Sequence, residues 1–201
     1  LSVVPGFAED VSIPVQTSVP VGDVTIGYVA PAGAKINPFL CDQRDLVSIN
    51  SLVYESLFEL DGNLKPQSLL AETWYVDGKK WTINIRSGVI CHNGIELVAQ
   101  DVVDSFEMFD NAPSTNPYAG RLSLIESITA TDTFTLEVKA RYPGLITLYG
   151  LTFPIVQRDT AASNNPMGTG PFWVVGNYDS VYIRLEANSL LWKQQPIVDS
   201  V

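Results

Sequence analysis

The chain has 201 residues, of which 46% are hydrophobic and 17% are charged. This length and composition allow one large domain or two small domains with buried cores. The net charge of −10 and the pI near 4.4 argue against nucleic acid and anionic membrane surfaces as partners, because those partners are themselves negatively charged.

Residues 1–22 are rich in Val, Pro and Ser and show little helical period, which predicts a flexible or extended leader. This stretch has no basic region, no long apolar region and no cysteine to accept a lipid, so it lacks the features of a signal peptide. No apolar run in the sequence approaches the roughly 20 residues that span a bilayer. The β-rich alternation of Val24–Val29 then predicts a strand that ends before Pro31.

Residues 44–60 carry apolar side chains at helical spacing, so we expect a single helix with an apolar stripe toward a core. The spaced positions are Leu46, Ile49, Leu52, Val53, Leu57 and Leu60. The polar run Asp61-Gly62-Asn63 predicts a turn. After it, a short helix and then a strand are expected, anchored by Leu69, Leu70 and Trp74.

Two β-hairpins are predicted farther along the chain. Asp77-Gly78 lies between the β-rich runs Tyr75-Val76 and Trp81–Ile85, which is a good hairpin signal. The second hairpin is expected from Ile125–Thr131 and Phe134–Ala140, joined by a short polar turn.

An amphipathic helix is predicted to begin near Ala99, with an apolar face made of Val102, Val103, Phe106 and Phe109. The residue before it, Val98, has no side-chain oxygen for an N-cap hydrogen bond, a loss that typically costs about 1 kcal/mol. Residues 111–121 are expected to form a loop. Pro143–Tyr149 is expected to form a short helix with proline at its first position.

Three further strands are predicted, at Phe153–Val156, Phe172–Asn177 and Val181–Ala187. The run Gly168-Thr169-Gly170 precedes the second of them. It lacks the lysine and the following helix of a phosphate-binding loop, which favours a tight turn that needs glycine conformations.

The two cysteines, Cys41 and Cys91, allow two interpretations. In a secreted chain they can pair, and closing a loop of that length stabilises a protein by roughly 4 kcal/mol on the chain-entropy account. Alternatively they are two buried thiols that pack as small hydrophobic groups. The spacing alone does not decide between them.

Catalytic and metal-binding interpretations are weakly supported. His92 is the single histidine and follows Cys91, but no second histidine or suitably spaced carboxylate accompanies it, so a structural role is favoured. An acid and base pair is conceivable among the carboxylates Glu55, Glu59, Glu72 and Asp101. Nothing in their spacing fixes a geometry, and solvated carboxylates are the simpler interpretation.

Six stretches in one order resemble a known family. They are Val53–Asp61 (VYESLFELD), Leu70–Trp74 (LAETW), Trp81–Met108 with its RSGVICHNG core, Phe153–Val156 (FPIV), Gly168–Phe172 (GTGPF) and Asn188–Pro196 (NSLLWKQQP). This order is similar to that of the family 5 extracellular solute-binding proteins, the oligopeptide, dipeptide and nickel receptors of ABC importers. Val98, Cys91 and Asn93 depart from the residues usual in that family, which are Thr, an aromatic residue and Asp.

The resemblance implies a mixed α/β (α+β) fold of the periplasmic-binding-protein-like type II class. A mixed sheet with flanking helices is expected, together with a hairpin-rich subdomain at about residues 45–110. Residues 23–201 would form the first lobe of a two-lobed protein. The last residues resemble the segment where the family's chain crosses to its second lobe, so that lobe is expected to lie outside this sequence.

The resemblance also implies a function: capture of a small-molecule ligand, expected to be a peptide, by the substrate-binding component of an ABC transporter. The partner would be an ABC permease, and the protein would be extracellular or periplasmic and anchored to the membrane. No catalysis, cofactor, metal or nucleic acid is expected. Nickel and haem binders share the motifs, so the ligand class stays open. The alternative is a ligand-sensing or interaction module of a cell-surface signalling protein with the same fold.

Ligand-binding residues are carried over from the resemblance to three places in this sequence. The first is the loop after the first strand, where backbone groups are expected to pair with a peptide main chain. The others are an aromatic residue in the loop at 111–121 and the hydroxyl of the glycine-flanked turn. The residues are Ala30, Pro31, Ala32, Gly33, Tyr118 and Thr169.

Overall fold

The computed structural model describes residues 22–26, 36–41, 44–175 and 183–201. The leader was predicted at residues 1–22, and all of it except Gly22 lies outside these ranges. The loop with Ala30, Pro31, Ala32 and Gly33 also lies outside them. Of the strand predicted at Val24–Val29, only the part up to Ile26 is described.

The described residues form eight strands, four α-helices and one 3₁₀ turn. The helices are α1 (Arg44–Val53), α2 (Ala99–Asp110), α3 (Ala119–Leu122) and α4 (Thr147–Gly150), and the 3₁₀ turn is Arg158–Thr160. The strands are β1 (Phe58–Leu60), β2 (Pro66–Ser68), β3 (Ala71–Asp77), β4 (Lys80–Ile85), β5 (Ile125–Asp132), β6 (Thr135–Ala140), β7 (Phe172–Val175) and β8 (Arg184–Ala187). The mixed α/β fold expected from the sequence is confirmed.

A four-stranded antiparallel sheet, in the order β3-β4-β6-β5, forms the centre of the fold. Both predicted hairpins belong to it, and Gly78 takes a positive φ of 60° in the turn of the first. Alternate residues of the two inner strands are buried and pair across the sheet, as Trp81 does with Val138 and Ile83 with Leu136. The period of two in the sequence therefore marks the buried face of this sheet.

Helix α2 packs against β5 and begins at Ala99, as predicted. Its N-cap residue Val98 makes no side-chain cap, but the Asp101 carboxylate accepts the Val98 backbone N–H at 2.9 Å. The other oxygen of Asp101 accepts the Arg158 N–H at 3.0 Å. Burial raises the pKa of this carboxyl, although both backbone bonds favour its charged form. Asp101 thus supplies the reciprocal half of a capping box, by binding the N-cap backbone, and also holds the 3₁₀ turn.

Phe109, near the end of α2, is the hub of an aromatic cluster. Its ring lies 4.6 Å from Phe39, 5.3 Å from Tyr118 and 5.9 Å from Phe153, measured between ring centroids. These partners come from three separate non-helical segments, so the cluster fixes loops to the helix that covers the sheet. Offset and edge-on aromatic pairs add to the stabilisation from burial.

The long helix predicted at residues 44–60 is wrong after Val53. Residues 54–57 belong to no helix or strand, and β1 follows. Backbone groups of this connector bond to distant segments: the Glu55 carbonyl accepts the Ile155 N–H, and the Leu57 carbonyl accepts the Leu69 N–H. Tertiary hydrogen bonds therefore replace the helical ones, although the apolar spacing would suit a longer helix.

Four other local predictions need correction. The short helix expected before β3 is absent from the described residues, where β2 pairs with β1 instead. The strand predicted at Phe153–Val156 does not form, and the Val156 N–H bonds to the Ser105 hydroxyl. The helix expected at Pro143–Tyr149 begins only at Thr147, whose hydroxyl bonds to the Gly144 carbonyl. The predicted 111–121 loop ends in the single-turn helix α3.

The last residues of the chain lie between two other segments. Val201 exchanges two backbone hydrogen bonds with Leu185 of β8, and the Ser200 carbonyl accepts the Val24 N–H at 3.0 Å. β8 itself pairs with β7 as the predicted final hairpin. Residues 199–201 thus connect the β7–β8 hairpin to residues 22–24 near the other end of the sequence.

Cys41 and Cys91 are both buried, and no disulfide joins them. The structure therefore agrees with the second of the two interpretations, in which both cysteines are buried thiols. No helix within the described ranges has the length and apolar character needed to cross a membrane.

Ile83, at the centre of the sheet, provides a test of this core. Ile83→Ala is expected to lower the free energy of unfolding by about 2–5 kcal/mol, because the side chain is fully buried and its removal leaves a cavity. Ile197→Ala is the matched control, since Ile197 is 68% exposed, and it should change stability by less than about 0.5 kcal/mol. Urea denaturation followed by fluorescence measures both, and equal losses would contradict the assigned core.

Candidate functional site: a buried polar centre beside a cleft

The connector at residues 54–57, between α1 and β1, contributes to both a surface cleft and a buried polar centre. Tyr54 and Ser56 line the cleft together with Phe58 of β1, although the Tyr54 and Phe58 side chains are themselves buried. Glu55 bonds instead to groups of the polar centre. The helix must end at Val53 for one short segment to serve both features.

Glu55 is the acceptor at the middle of the buried polar centre, with its side chain only 2% exposed. One carboxylate oxygen accepts the Thr169 hydroxyl at 2.9 Å and the Trp192 indole N–H at 2.8 Å. The other oxygen lies 2.7 Å from the Lys193 ammonium. A buried carboxylate needs such partners because its desolvation is otherwise unfavourable. Glu55 thereby joins the connector to two segments more than a hundred residues away.

The turn Gly168-Thr169-Gly170 lies directly against the end of α1. The Gly170 N–H donates to the Val53 carbonyl at 3.0 Å. A Cβ on Gly170 would lie 2.6 Å from the Val53 carbonyl oxygen and 2.7 Å from that of Leu52, and one on Gly168 would also meet Val53. Glycine is required at these two positions by the closeness of the backbones, and neither glycine has the positive φ that the sequence led us to expect.

His92 contacts the same turn from the other side. Its Nδ1 accepts the Gly168 N–H at 3.3 Å, and its Nε2 lies 3.0 Å from the Gly170 carbonyl oxygen. The backbone N–H of His92 also donates to the Gly168 carbonyl at 2.9 Å. Burial lowers the pKa of His92, while the Gly170 carbonyl and the Glu55 charge act in the opposite direction. Both ring nitrogens are thus occupied by the backbone, which supports the structural interpretation.

The pair Cys91 and His92 does not form a reactive site. Burial raises the pKa of the Cys91 thiol to about 12, so it remains protonated and is a poor nucleophile at neutral pH. No group of three or more His, Cys, Asp or Glu residues that could hold a metal ion occurs in the described part of the chain.

Trp192 closes the polar centre on the solvent side. The guanidinium of Arg86 lies 5.2 Å from its ring centroid, and the Lys193 ammonium lies 5.6 Å from it. Both distances are in the range of cation–π interactions. The indole is therefore held by its N–H on Glu55 and by cations near its ring.

The cleft has a volume of about 380 Å³ and mixes aromatic, hydroxyl and charged groups. Its lining residues are Val47, Ser51, Tyr54, Ser56, Phe58, Glu59, Leu60, Tyr118, Arg121, Thr152 and Pro154. Arg121 is fixed at the rim by a 3.1 Å hydrogen bond to the Thr152 hydroxyl. Burial raises the pKa of the Tyr118 phenol, so Tyr118 is uncharged.

Tyr118 is held in the wall by the turn that precedes α3. The Asn116 side chain accepts the Tyr118 N–H at 3.0 Å and donates to the Pro38 and Phe39 carbonyls at 3.0 and 3.2 Å. The turn is thereby fixed to the segment at 36–41, and the Tyr118 ring packs on Phe109.

Two of the residues singled out from the sequence lie in this region, but on different features. Tyr118 lines the cleft, and Thr169 belongs to the polar centre with its hydroxyl on Glu55. The four carboxylates considered as an acid and base pair do not lie together. Glu55 and Asp101 belong to different hydrogen-bond networks. Glu59 lines the cleft, and the Glu72 carboxylate lies 4.0 Å from the Arg86 guanidinium.

The sequence did not reveal the partnership of Glu55, His92, Trp192 and Lys193. The sequence contains two partial signals of this partnership. Glycines on both sides of Thr169 indicate a close approach of two backbones, and Glu55, within the largely apolar run of Val53–Leu60, indicates a carboxylate that needs partners. Neither signal identifies partners more than a hundred residues away.

The family model of the bacterial extracellular solute-binding proteins, family 5, matches residues 65–201. The chain belongs to this family. Proteins of family 5 are periplasmic or extracellular binding proteins rather than enzymes.

Curated relatives of this family 5 chain include two from Bacillus subtilis. The uncharacterized protein YhjP is 29% identical over 154 residues, which are 74% of this chain and 26% of that protein. The oligopeptide-binding protein AppA is 24% identical over 201 residues, covering 90% of this chain and 36% of AppA. The di/tripeptide-binding protein 2 of Pseudomonas aeruginosa is 29% identical over 163 residues, which cover 65% of this chain and 31% of that protein. The chain thus spans about a quarter to a third of these relatives.

Solved structures of the family show the same fold. NikZ from Campylobacter jejuni, in complex with Ni(L-His), superposes with a TM-score of 0.70 at 23% identity, covering 94% of this chain and 38% of NikZ. AppA from Bacillus subtilis, in complex with a nonapeptide, superposes with a TM-score of 0.71 at 21% identity, covering 85% of this chain and 37% of AppA. At these identities the likeness concerns the fold, and it confirms the type II periplasmic-binding-protein class expected from the sequence.

Gly170 tests the close approach of the turn to α1. Gly170→Ala is expected to lower the free energy of unfolding by about 3 kcal/mol, because the new methyl group would overlap backbone atoms that have little freedom to move. The matched control is Gly120→Ala, where an added Cβ meets nothing within 4 Å. Thermal unfolding followed by circular dichroism measures both variants, and a Gly170→Ala protein as stable as the control would refute the packing.

Lys193 tests whether Glu55 is a buried carboxylate that depends on its counter-ion. Lys193→Met is expected to cost about 2–4 kcal/mol of stability, because it leaves the carboxylate without compensation. The double variant Glu55→Gln with Lys193→Met should lose less, since glutamine carries no charge and still offers an oxygen to Thr169 and Trp192.

The exposed pair Lys80 and Glu137, also 2.7 Å apart, is the control for this experiment. Lys80→Met should cost no more than about 1 kcal/mol, as is usual for surface ion pairs. Chemical denaturation of all three variants gives the comparison. A Lys193→Met loss no larger than that of Lys80→Met would show that the Glu55 charge is effectively solvated.

Proposed function

We propose that this chain is part of the substrate-binding component of an ABC importer, and that it captures peptides for import. The family match over residues 65–201 carries this proposal. Peptide is favoured as the ligand because relatives are named for binding oligopeptides, di- and tripeptides and glutathione. Apart from YhjP, which is named only as an uncharacterized protein, the curated relatives described above are named for binding peptides, so the alternative of a signalling module gains no support from them.

In this proposal, residues 23–201 are the first lobe, residues 1–22 are a leader, and residues of about 45–110 form a subdomain. A second lobe, beyond this sequence, would close on the ligand by a hinge movement, and the closed form would dock on the permease. The mature protein would be extracellular or periplasmic and anchored to the membrane.

The ligand would contact this lobe at the cleft beside the connector. Tyr118, although largely buried, forms part of the wall, and the exposed Arg121 and Glu59 offer opposite charges in the same lining. The loop at 30–33 would supply backbone groups for main-chain pairing. Thr169 would act by position rather than contact, because its hydroxyl holds the turn on Glu55.

A binding role also agrees with the state of the polar groups. Glu55 bonds to three partners, and both ring nitrogens of His92 bond to backbone. Catalysis would require a base or nucleophile that is oriented toward a substrate. The proposed mechanism therefore uses the polar centre for rigidity and the cleft for recognition.

Native mass spectrometry tests the proposal on the protein expressed at its natural length and purified from peptide-rich medium. We expect a ladder of added masses that match short peptides and disappear on mild unfolding. The control is the same protein after unfolding, dialysis and refolding, which should be ligand-free and should recover the ladder when tryptic peptides are added. A clean mass that does not shift with peptides would contradict a peptide receptor.

Tyr118→Ala tests the cleft as the ligand surface. It is expected to weaken the affinity for the peptides identified above by tenfold or more, because a buried aromatic contact is lost; about 1.4 kcal/mol corresponds to a factor of ten. Leu122→Ala is the matched control, since Leu122 is also buried in the core but lies outside the cleft lining. Calorimetric titration of both variants, each shown to be folded, measures their affinities for the peptides. Equal affinities of the two variants would show that the ligand binds elsewhere.

A further inference from the structure

The hydrogen bonds of His92 determine its protonation state. The backbone N–H of Gly168 can only donate, so the Nδ1 atom that it contacts at 3.3 Å must be unprotonated. The proton of the neutral ring then lies on Nε2, which donates to the Gly170 carbonyl at 3.0 Å. The ring thus bridges the first and last residues of the turn with an acceptor at one end and a donor at the other.

Adding a proton to this ring affects its two ends differently. A protonated Nδ1 would place a second donor against the Gly168 N–H, so that hydrogen bond is lost and the contact becomes repulsive. The Nε2 bond to the Gly170 carbonyl persists, and that carbonyl also accepts the Asn188 side-chain N–H at 3.0 Å. Gly170 itself stays bonded to Val53. The change is therefore confined to the Gly168 end of the turn.

The Gly168 end of the turn is connected to the wall of the cleft. Two residues before it, the Pro166 carbonyl accepts the Tyr54 hydroxyl at 3.0 Å, and Tyr54 lines the cleft. Between them, the Met167 carbonyl accepts the Gln157 N–H at 2.8 Å. The bond from the Gly168 N–H to His92 is therefore one of several that hold a segment behind the cleft. The Gly168 carbonyl keeps its bond from the His92 backbone N–H at 2.9 Å when the ring is protonated, so the expected loosening is centred on the Gly168 amide.

We propose that His92 is a proton-controlled clamp, which holds residues 166–168 behind the cleft when its ring is neutral and releases the Gly168 amide when its ring is protonated. The single histidine of the chain would thus make the support of the cleft depend on the acidity of the surroundings. Any effect on ligand affinity rests on the proposed function, whereas the clamp itself is a property of the ligand-free protein.

The charges around His92 set the balance of this switch. Glu55, from the connector, is the carboxylate whose charge favours protonated His92, and it is itself paired with Lys193 from the segment after β8. From the turn and from residue 188, the neighbours are the uncharged Thr169 and Asn188. Cys91, next in the chain, stays a neutral thiol with Asp101 near it. Burial outweighs the Glu55 charge and lowers the pKa of His92.

The sign of the pH dependence follows from this lowered pKa. The unfolded chain binds a proton on His92 near pH 6.5, whereas the folded chain binds it only at a lower pH. The contribution of neutral His92 to the free energy of unfolding is therefore fully present above about pH 6.5. It is lost as the pH falls toward the pKa of His92 in the folded protein. The clamp is closed at neutral pH and opens in acid.

Amide hydrogen exchange measured by NMR, on the ligand-free protein at its natural length, tests the proposal between pH 7.5 and 5. After correction for the intrinsic pH dependence of exchange, the protection of the Gly168 amide should fall about fivefold as the His92 ring titrates, the factor that corresponds to one net hydrogen bond. The Gly170 amide, bonded to Val53, is the internal control and should keep its protection. The ring signal of His92 is identified by its absence from the spectrum of the His92→Gln variant, and its titration is followed in the same sample.

His92→Gln is the matched variant, because glutamine offers one acceptor and one donor but does not titrate in this range. Its Gly168 amide should show protection that does not change with pH. Titration of the wild-type ring without any change in Gly168 protection would overturn the proposal, and this result needs no variant. The same pH-dependent loss in His92→Gln as in the wild type would overturn it equally. Because no ligand is used, neither outcome bears on the proposed import of peptides.

Discussion

The arrangement of this lobe depends on one close contact, in which the backbone of residues 168–170 lies against the end of α1. Two glycines allow it, since a Cβ on either would overlap Val53. Once the turn is in place, Glu55 meets Thr169, His92 spans the turn, and the Trp192 indole and Lys193 ammonium complete the shell around the carboxylate. The polar groups are thus consequences of a steric fit, and the rigid connector that results forms one wall of the cleft.

Much of the fold was accessible from the sequence, because the responsible signals are local. The β-rich runs on either side of short polar turns, such as Asp77-Gly78, identified the hairpins of the central sheet, and the apolar stripe of α2 identified the helix that packs on it. The prediction was wrong where distant backbone groups replace local ones, as after Val53. There, hydrogen bonds to Ile155 and Leu69 end a helix whose apolar spacing continues to Leu60.

The candidate site was less accessible, for a related physical reason. Tyr118 was singled out from the sequence and lines the cleft. The partners of Glu55 come from positions 169, 192 and 193, and no period in the sequence relates such positions. Asp101 shows the same limit on a smaller scale: the sequence showed that Val98 has no capping side chain, but not that the Asp101 carboxylate binds the Val98 backbone N–H. Pairings of this kind depend on tertiary geometry, which a single sequence does not encode locally.

The ladder between residues 199–201, β8 and residues 22–24 has a consequence for how this lobe forms during synthesis. The Ser200 hydroxyl and the Asp23 carboxylate are bonded across a separation of 177 residues. Closing a loop of this length has a large entropic cost, so the contact is expected to form late in folding. It also cannot form until residues 199–201 have been synthesised. Residues 22–24 must therefore wait for their partner strand while the central sheet and α2, which use nearer contacts, fold first. The two ends of this region are joined as the last step of its assembly.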